Sequence, residues 1–118
     1  MNQIDKFIDG ATIKRLGEFT FPICNNFLAA TISVDEAKVC QTILNLYNRD
    51  AIVVEPVGAT TIAALVNYKE EIIGKNVVCI VGGSNNDITR TEEIKERALL
   101  YGKLKYYLSS GFHKDLEP

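Results

Sequence analysis

The stretch Asn76-Val77-Val78-Cys79-Ile80-Val81, running at once into Gly82-Gly83-Ser84-Asn85-Asn86, is the clearest strand-and-turn signal in the chain. Val77, Val78, Ile80 and Val81 are β-branched and nearly uninterrupted, as a strand favours. Working upstream, Ala51 to Val54 repeats the pattern and ends in the turn Glu55-Pro56-Val57-Gly58, and Thr31 to Val34 is a shorter β-branched run. Helical periodicity fills the gaps. Cys40, Ile43, Leu44 and Tyr47 form one stripe, opened by a capping box of Ser33 with Glu36 and closed by Asn48-Arg49-Asp50. Ala59, Ile62, Ala63 and Val66 form a second, on a helix apolar nearly all round, which predicts deep burial, and Gly74 is placed to leave it. Downstream, Thr89 and Glu92 repeat the capping-box spacing, and Ile94, Ala98, Tyr101, Leu104 and Leu108 predict a helix to about residue 108, with Gly102 the place for a break. The order β-α-β-α-β-α predicts an α/β fold, a partial parallel sheet flanked by helices.

The opening third is punctuated by Gly10, Gly17 and Pro22, and only Phe21 to Leu28 reads there as a short helix. Residues 1–108 are expected to form one unit, and the polar tail 109–118 is expected to fray.

Composition narrows the functional classes. Of 118 residues, 47% are apolar and 24% charged, so the chain should fold rather than remain disordered. The net charge is −2 and the cations lie among acidic neighbours, which argues against nucleic acid as a partner. No apolar run is long enough to span a bilayer, and the start lacks a cationic segment leading into an apolar one, so no membrane partner is expected. Cys24, Cys40 and Cys79 are odd in number and each lies in an apolar stretch, which suits buried reduced thiols better than a disulfide framework, and a cytoplasmic setting. His113 is the only histidine. Neither a zinc site nor a Ser/His/Asp set can be assembled around it.

Three places could carry chemistry. The turn Gly82-Gly83-Ser84-Asn85 would offer backbone N–H groups and small polar side chains at the carboxyl edge of a sheet, where open α/β folds bind ligands. It lacks the glycine spacing of a dinucleotide fingerprint and the lysine of a P-loop, and a plain tight turn asks for the same small residues. Glu55 would lie at the same edge, either orienting a ligand or serving as an acid at a helix N-terminus. Asp9-Gly10 could form a further rim loop, or a simple turn.

At these three places the chain resembles the threonine ammonia-lyases. Asp9-Gly10-Ala11-Thr12-Ile13-Lys14-Arg15-Leu16-Gly17, then Ala51-Ile52-Val53-Val54-Glu55-Pro56-Val57-Gly58-Ala59, then Val77-Val78-Cys79-Ile80-Val81-Gly82-Gly83-Ser84-Asn85 are similar to successive signatures of that family, in family order. Val39-Cys40 leading into Ile43-Leu44 and Tyr47, and Asn86-Asp87-Ile88 before the last helix, fit the same likeness, which reaches about Leu108. The resemblance implies the C-terminal part of the catalytic domain of a fold-type-II pyridoxal-phosphate enzyme of amino-acid metabolism, which converts threonine to 2-oxobutanoate and ammonia by β-elimination. It implies that Gly10 lines the cofactor and substrate rim, that Glu55 lies near the pyridine ring, and that Gly82, Gly83 and Ser84 approach the ring nitrogen. Serine dehydratases share these motifs.

Two departures qualify that implication. The family reads Ser-Gly-Gly-Asn after this strand, whereas here the order is Gly82-Gly83-Ser84-Asn85, which moves the hydroxyl by two residues, several ångströms along an extended chain at about 3.3 Å per residue. None of the lysines has the Ser-Phe-Lys-Xaa-Arg-like setting of the family's Schiff-base lysine, and no glycine loop for the phosphate is present. The expectation is a catalytically incomplete chain with no catalytic residue of its own, which binds pyridoxal phosphate weakly and acts with a complementary N-terminal chain or as a homo-oligomer. The alternative is a non-catalytic α/β remnant that serves as an interaction module.

Overall fold

The computed structural model describes residues 7–108. Its longest element is α2 (Glu36–Asp50), which follows the short α1 (Thr20–Phe27) and precedes α3 (Pro56–Ala64) and α4 (Thr91–Tyr101). Single 3-10 turns lie at Asp9–Ala11, Leu65–Tyr68 and Ile88–Arg90. α1 falls within one residue of its expected span.

The start of α2 differs from the predicted capping box. Asp35 is the N-cap, and its Oδ1 accepts the N–H groups of Ala37 at 2.8 Å and Lys38 at 3.2 Å. A carboxylate answers two unsatisfied amides and also suits the positive end of the helix dipole, so it prevails over the serine two residues earlier. The helix closes at Ala51, which adopts a left-handed φ of 54°.

The core forms where α2 meets α4 and α3. α2 buries Val39, Cys40, Ile43 and Leu46, while Leu44 is half-buried and Tyr47 is exposed, so the packed face is turned from the predicted stripe. The reason is that α2 contacts two helices and its buried face must serve both. Thr42 is buried as well, its hydroxyl satisfied by Lys38 O at 2.9 Å. α4 contributes Ile94 and Ala98 to this core, and α3 contributes Ala59 and Ala63. Val66, expected on the α3 stripe, is exposed because the α-helix ends at Ala64 and gives way to a 3-10 turn.

α4 stops at Tyr101, not near residue 108. The Leu104 N–H bonds Leu99 O at 2.9 Å and the Lys103 N–H bonds Leu100 O at 3.1 Å, with Lys103 itself at φ 56°. This is the Schellman arrangement, with lysine rather than Gly102 in the left-handed position. Leu104 and Leu108 consequently lie exposed beyond the helix. The second expected capping box is also displaced. Asp87 accepts the Thr89 N–H at 2.9 Å and opens the turn Ile88–Arg90, and its hydrogen bonds with Thr89 hold the carboxyl below its ordinary pKa.

The stretches 31–34, 51–54 and 76–81 link these helices without helical structure, and no β-ladder forms among the described residues. A strand is defined by its hydrogen-bonded neighbours, so this neither supports nor opposes the parallel sheet, which stays an expectation. The tail 109–118 lies outside the described residues.

The cysteines differ sharply in setting: Cys24 is exposed, Cys79 intermediate and Cys40 fully buried, and all three are free thiols. Burial pushes the Cys40 thiol up from 9.0 to about 11, partly offset by Arg97. An aromatic disulfide reagent is expected to modify Cys24 quickly in the native chain and Cys40 only on unfolding. Since the folded pKa is the higher one, the contribution of Cys40 to stability is full below pH 9.0 and is lost as pH rises toward about 11. Denaturant midpoints measured across that range check the sign.

Candidate functional site

The first turn of α3 is the meeting point of the three sequence stretches. Pro56 occupies the first helical position, where a missing N–H costs nothing, and Glu55 precedes it in an extended conformation as the N-cap. The Glu55 carboxylate makes no cap bond. Instead the Glu55 backbone N–H donates to Gly83 O at 3.0 Å, joining the end of the 51–54 stretch to the turn after residue 81.

The side chain of Glu55 lies against the same glycine. A Cβ added at Gly83 would fall 2.0 Å from Glu55 Oε1 and 2.3 Å from its carboxyl carbon, and Gly83 also has a left-handed φ of 67°. The left-handed backbone favours glycine there, and a larger residue would push the Glu55 side chain aside. One residue earlier, Gly82 presents its carbonyl to Gly58, where an added Cβ would lie 1.7 Å from Gly82 O. Helix α3 and the glycine turn therefore touch backbone to backbone. A second tie runs from the Thr61 hydroxyl to Ile80 O at 2.8 Å.

The Asp9–Ala11 turn reaches the same helix from the other end of the sequence. Gly10 packs on Val57, whose Cγ2 would be 3.1 Å from a Cβ at Gly10, and its N–H bonds Asp9 Oδ1 at 2.9 Å. Gly10, Glu55, Gly82 and Gly83 are thus gathered around one helical turn. Ser84 follows in the exposed part of the turn, where its carbonyl accepts the Asn86 N–H at 2.8 Å, and its hydroxyl has no partner among the described residues. Sequence reasoning missed Gly58, Val57 and Arg90. Gly58 reads as part of the turn after residue 54, whereas the structure places it in the first turn of α3.

Gly83→Ala is expected to cost about 1–2 kcal/mol for the left-handed backbone alone, and to drive the Glu55 carboxyl out of its position. A denaturation midpoint gives the first effect, and the Glu55 side-chain carboxyl chemical shift reports the second.

Among the described residues, no three His, Cys, Asp or Glu side chains come together as a metal site would require. The arrangement offers a carboxylate beside a turn of small residues, with open space next to Gly82, where an added Cβ would meet nothing within 4 Å.

The pyridoxal-phosphate dependent enzyme family matches residues 1–83, and the chain belongs to that family. It is 54% identical over 112 residues to the biosynthetic L-threonine dehydratase of Halalkalibacterium halodurans, a match that covers 95% of this chain and 27% of that protein. With the biosynthetic L-threonine dehydratase of Staphylococcus aureus strain N315 the identity is 50% over 109 residues, covering 92% of this chain and 26% of the relative. The chain spans about a quarter of the length of the curated relatives it matches. No helix among the described residues is long and apolar enough to cross a membrane.

Proposed function

We propose that this chain supplies the ring-facing wall of a pyridoxal-phosphate site in a threonine ammonia-lyase, the enzyme type that converts threonine to 2-oxobutanoate and ammonia. The observation that carries the reading is the convergence of Gly10, Glu55, Gly82 and Gly83 on the first turn of α3, where Glu55 N–H bonds Gly83 O at 3.0 Å. The residues fit one side of the cofactor and not the whole group. They offer glycine backbone and a carboxylate, while the sequence has no lysine in the family's imine context and no phosphate loop. Turnover then requires those parts from elsewhere, and the roles of Gly10, Glu55, Gly82, Gly83 and Ser84 toward the ring are those of positioning and contact. Within this reading the stretches 51–54 and 76–81 become strands of a parallel sheet once neighbours flank them, and the three free thiols suit the cytoplasm.

Surface exposure supports an incomplete unit. Val78 is 90% and Ile80 80% exposed within the stretch that reads as the clearest strand of the sequence. Apolar surface of this kind recruits a partner, here a polypeptide carrying the lysine and phosphate-loop segments. The same exposure supports a second reading, a non-catalytic module that self-associates through this face.

Titration of the purified chain with pyridoxal phosphate, followed by a threonine deamination assay, separates these outcomes. Weak or no binding and no turnover alone, with turnover restored by adding the complementary segment, is the expected result. Stable stoichiometric binding and turnover by the chain alone would overturn the claim of incompleteness. A chain that forms a defined homo-oligomer and stays inactive with the complement favours the second reading.

A further inference from the structure

We infer that Arg90 is a positioning residue for the rim that carries Gly10, an inference that rests on reading that rim as part of the cofactor wall. Arg90 stands at the junction between the turn Ile88–Arg90 and α4, with its side chain 23% exposed. Its Nη2 donates to Phe7 O at 2.6 Å, and its Nη1 lies 3.6 Å from Asp9 Oδ1. The guanidinium also lies 5.0 Å from the centre of the Phe7 ring and approaches Glu93 at 3.9 Å.

The Asp9 oxygen that faces Arg90 is the one that accepts the Gly10 N–H at 2.9 Å. A single carboxylate oxygen therefore connects the guanidinium to the backbone of Gly10, which in turn packs on Val57 of α3. An ion pair with Asp9 alone would hold little, because that carboxylate is 75% exposed. The planar guanidinium adds the carbonyl bond and the ring contact, which fix its direction as well as its distance, and a lysine has no such fork. Arg97 lies 4.3 Å from the centre of the same ring and pairs with Glu36 at 3.2 Å and Glu93 at 3.0 Å. Phe7 is therefore anchored independently of Arg90. Arg90 adds the polar tie that holds Asp9, and through it Gly10, to the start of α4.

The test is residue-resolved amide hydrogen exchange on the full chain and on the variants Arg90→Gln, Arg90→Lys, Asp9→Asn and the double variant Asp9→Asn/Arg90→Gln. In Arg90→Gln the amides of Gly10, Ala11 and Thr12 are expected to exchange about tenfold faster while the buried face of α2 keeps its rates. Arg90→Lys falls between that variant and the parent. Asp9→Asn, which keeps the carbonyl bond and the ring contact, gives a smaller acceleration at the same amides, and the double variant exchanges no faster than Arg90→Gln, because Asp9 is held through Arg90. Parent-like exchange at residues 10–12 in Arg90→Gln, equal acceleration in α2, or additive acceleration in the double variant would overturn the assignment. Should Arg90→Gln fail to fold, the exposed substitution Asp9→Asn decides alone: faster exchange at 10–12 supports the inference and parent rates refute it. A parallel pyridoxal phosphate titration, with the complementary segment present, tests the underlying reading. Weaker binding by Arg90→Gln than by the parent supports the link between rim and cofactor, and equal binding breaks it. No binding even by the complemented parent removes the cofactor reading itself, and the exchange result still decides whether Arg90 positions the rim.

Discussion

Gly58→Ala is expected to destabilise the chain by about 3 kcal/mol or more, beyond the usual range for a single added methyl. The added carbon would lie 1.7 Å from Gly82 O, 2.9 Å from the Gly82 carbonyl carbon and 2.7 Å from Val54 Cγ2. Two of these atoms are backbone and belong to the glycine turn, so no rotamer change can relieve the overlap. Either α3 or the turn must move. Movement of the turn breaks the Glu55 N–H bond to Gly83 O and removes the contact that gathers the site. Urea midpoints measure the loss, and Gly82→Ala is the control. A Cβ at Gly82 meets nothing within 4 Å and its φ is not left-handed, so that variant should fall within about 0.5 kcal/mol of the parent. A Gly58→Ala chain as stable as Gly82→Ala would show that α3 and the turn are not in close approach.

The contrast between these two glycines shows what could be read from sequence and what could not. Gly82 and Gly83 announce themselves by following a β-branched run, and they are legible as a turn. Gly58 reads as an ordinary turn glycine until the turn from residue 82 is laid against it, because its requirement is set by a segment distant in the chain. Arg90 is hidden for the same reason: its partners Phe7 and Asp9 are at the other end of the described sequence, and no local pattern joins them. The helices were legible because their signal is local. Their ends were not, because capping depends on which nearby side chain reaches the free amides, and Asp35 and Asp87 do so in place of Ser33 and Thr89. The stretches 51–54 and 76–81 stand at the other extreme. Their residues declare strands, yet a strand needs neighbours, and the ladder bonds that would define one are absent among the described residues. The candidate site rests on three motif stretches, and the structure adds the helical turn on which they converge.

Ile94→Ala is the second large effect, expected to cost about 2–5 kcal/mol. Ile94 is 1% exposed and is the largest fully buried side chain, on the face of α4 that packs against α2. It also borders an apolar groove of about 200 Å³ shared with Ile43, Leu44, Val54 and Ile88. A truncated side chain would leave a space continuous with that groove, so water or neighbouring side chains could partly fill it, which points to the middle of the range. The consequence extends to the site. α4 carries Arg90 at its start and Arg97 along its length, and through them it holds Phe7 and Asp9. Loosening α4 from α2 should therefore raise exchange at residues 10–12 together with α2, a global pattern distinct from the local one expected of Arg90→Gln. Ile94→Val, which keeps most of the volume, should retain the parent pattern at a cost of about 0.5–1.5 kcal/mol. A midpoint for Ile94→Ala within error of Ile94→Val would mean that α4 does not pack on α2 through this residue, and that the rim is held by polar contacts alone.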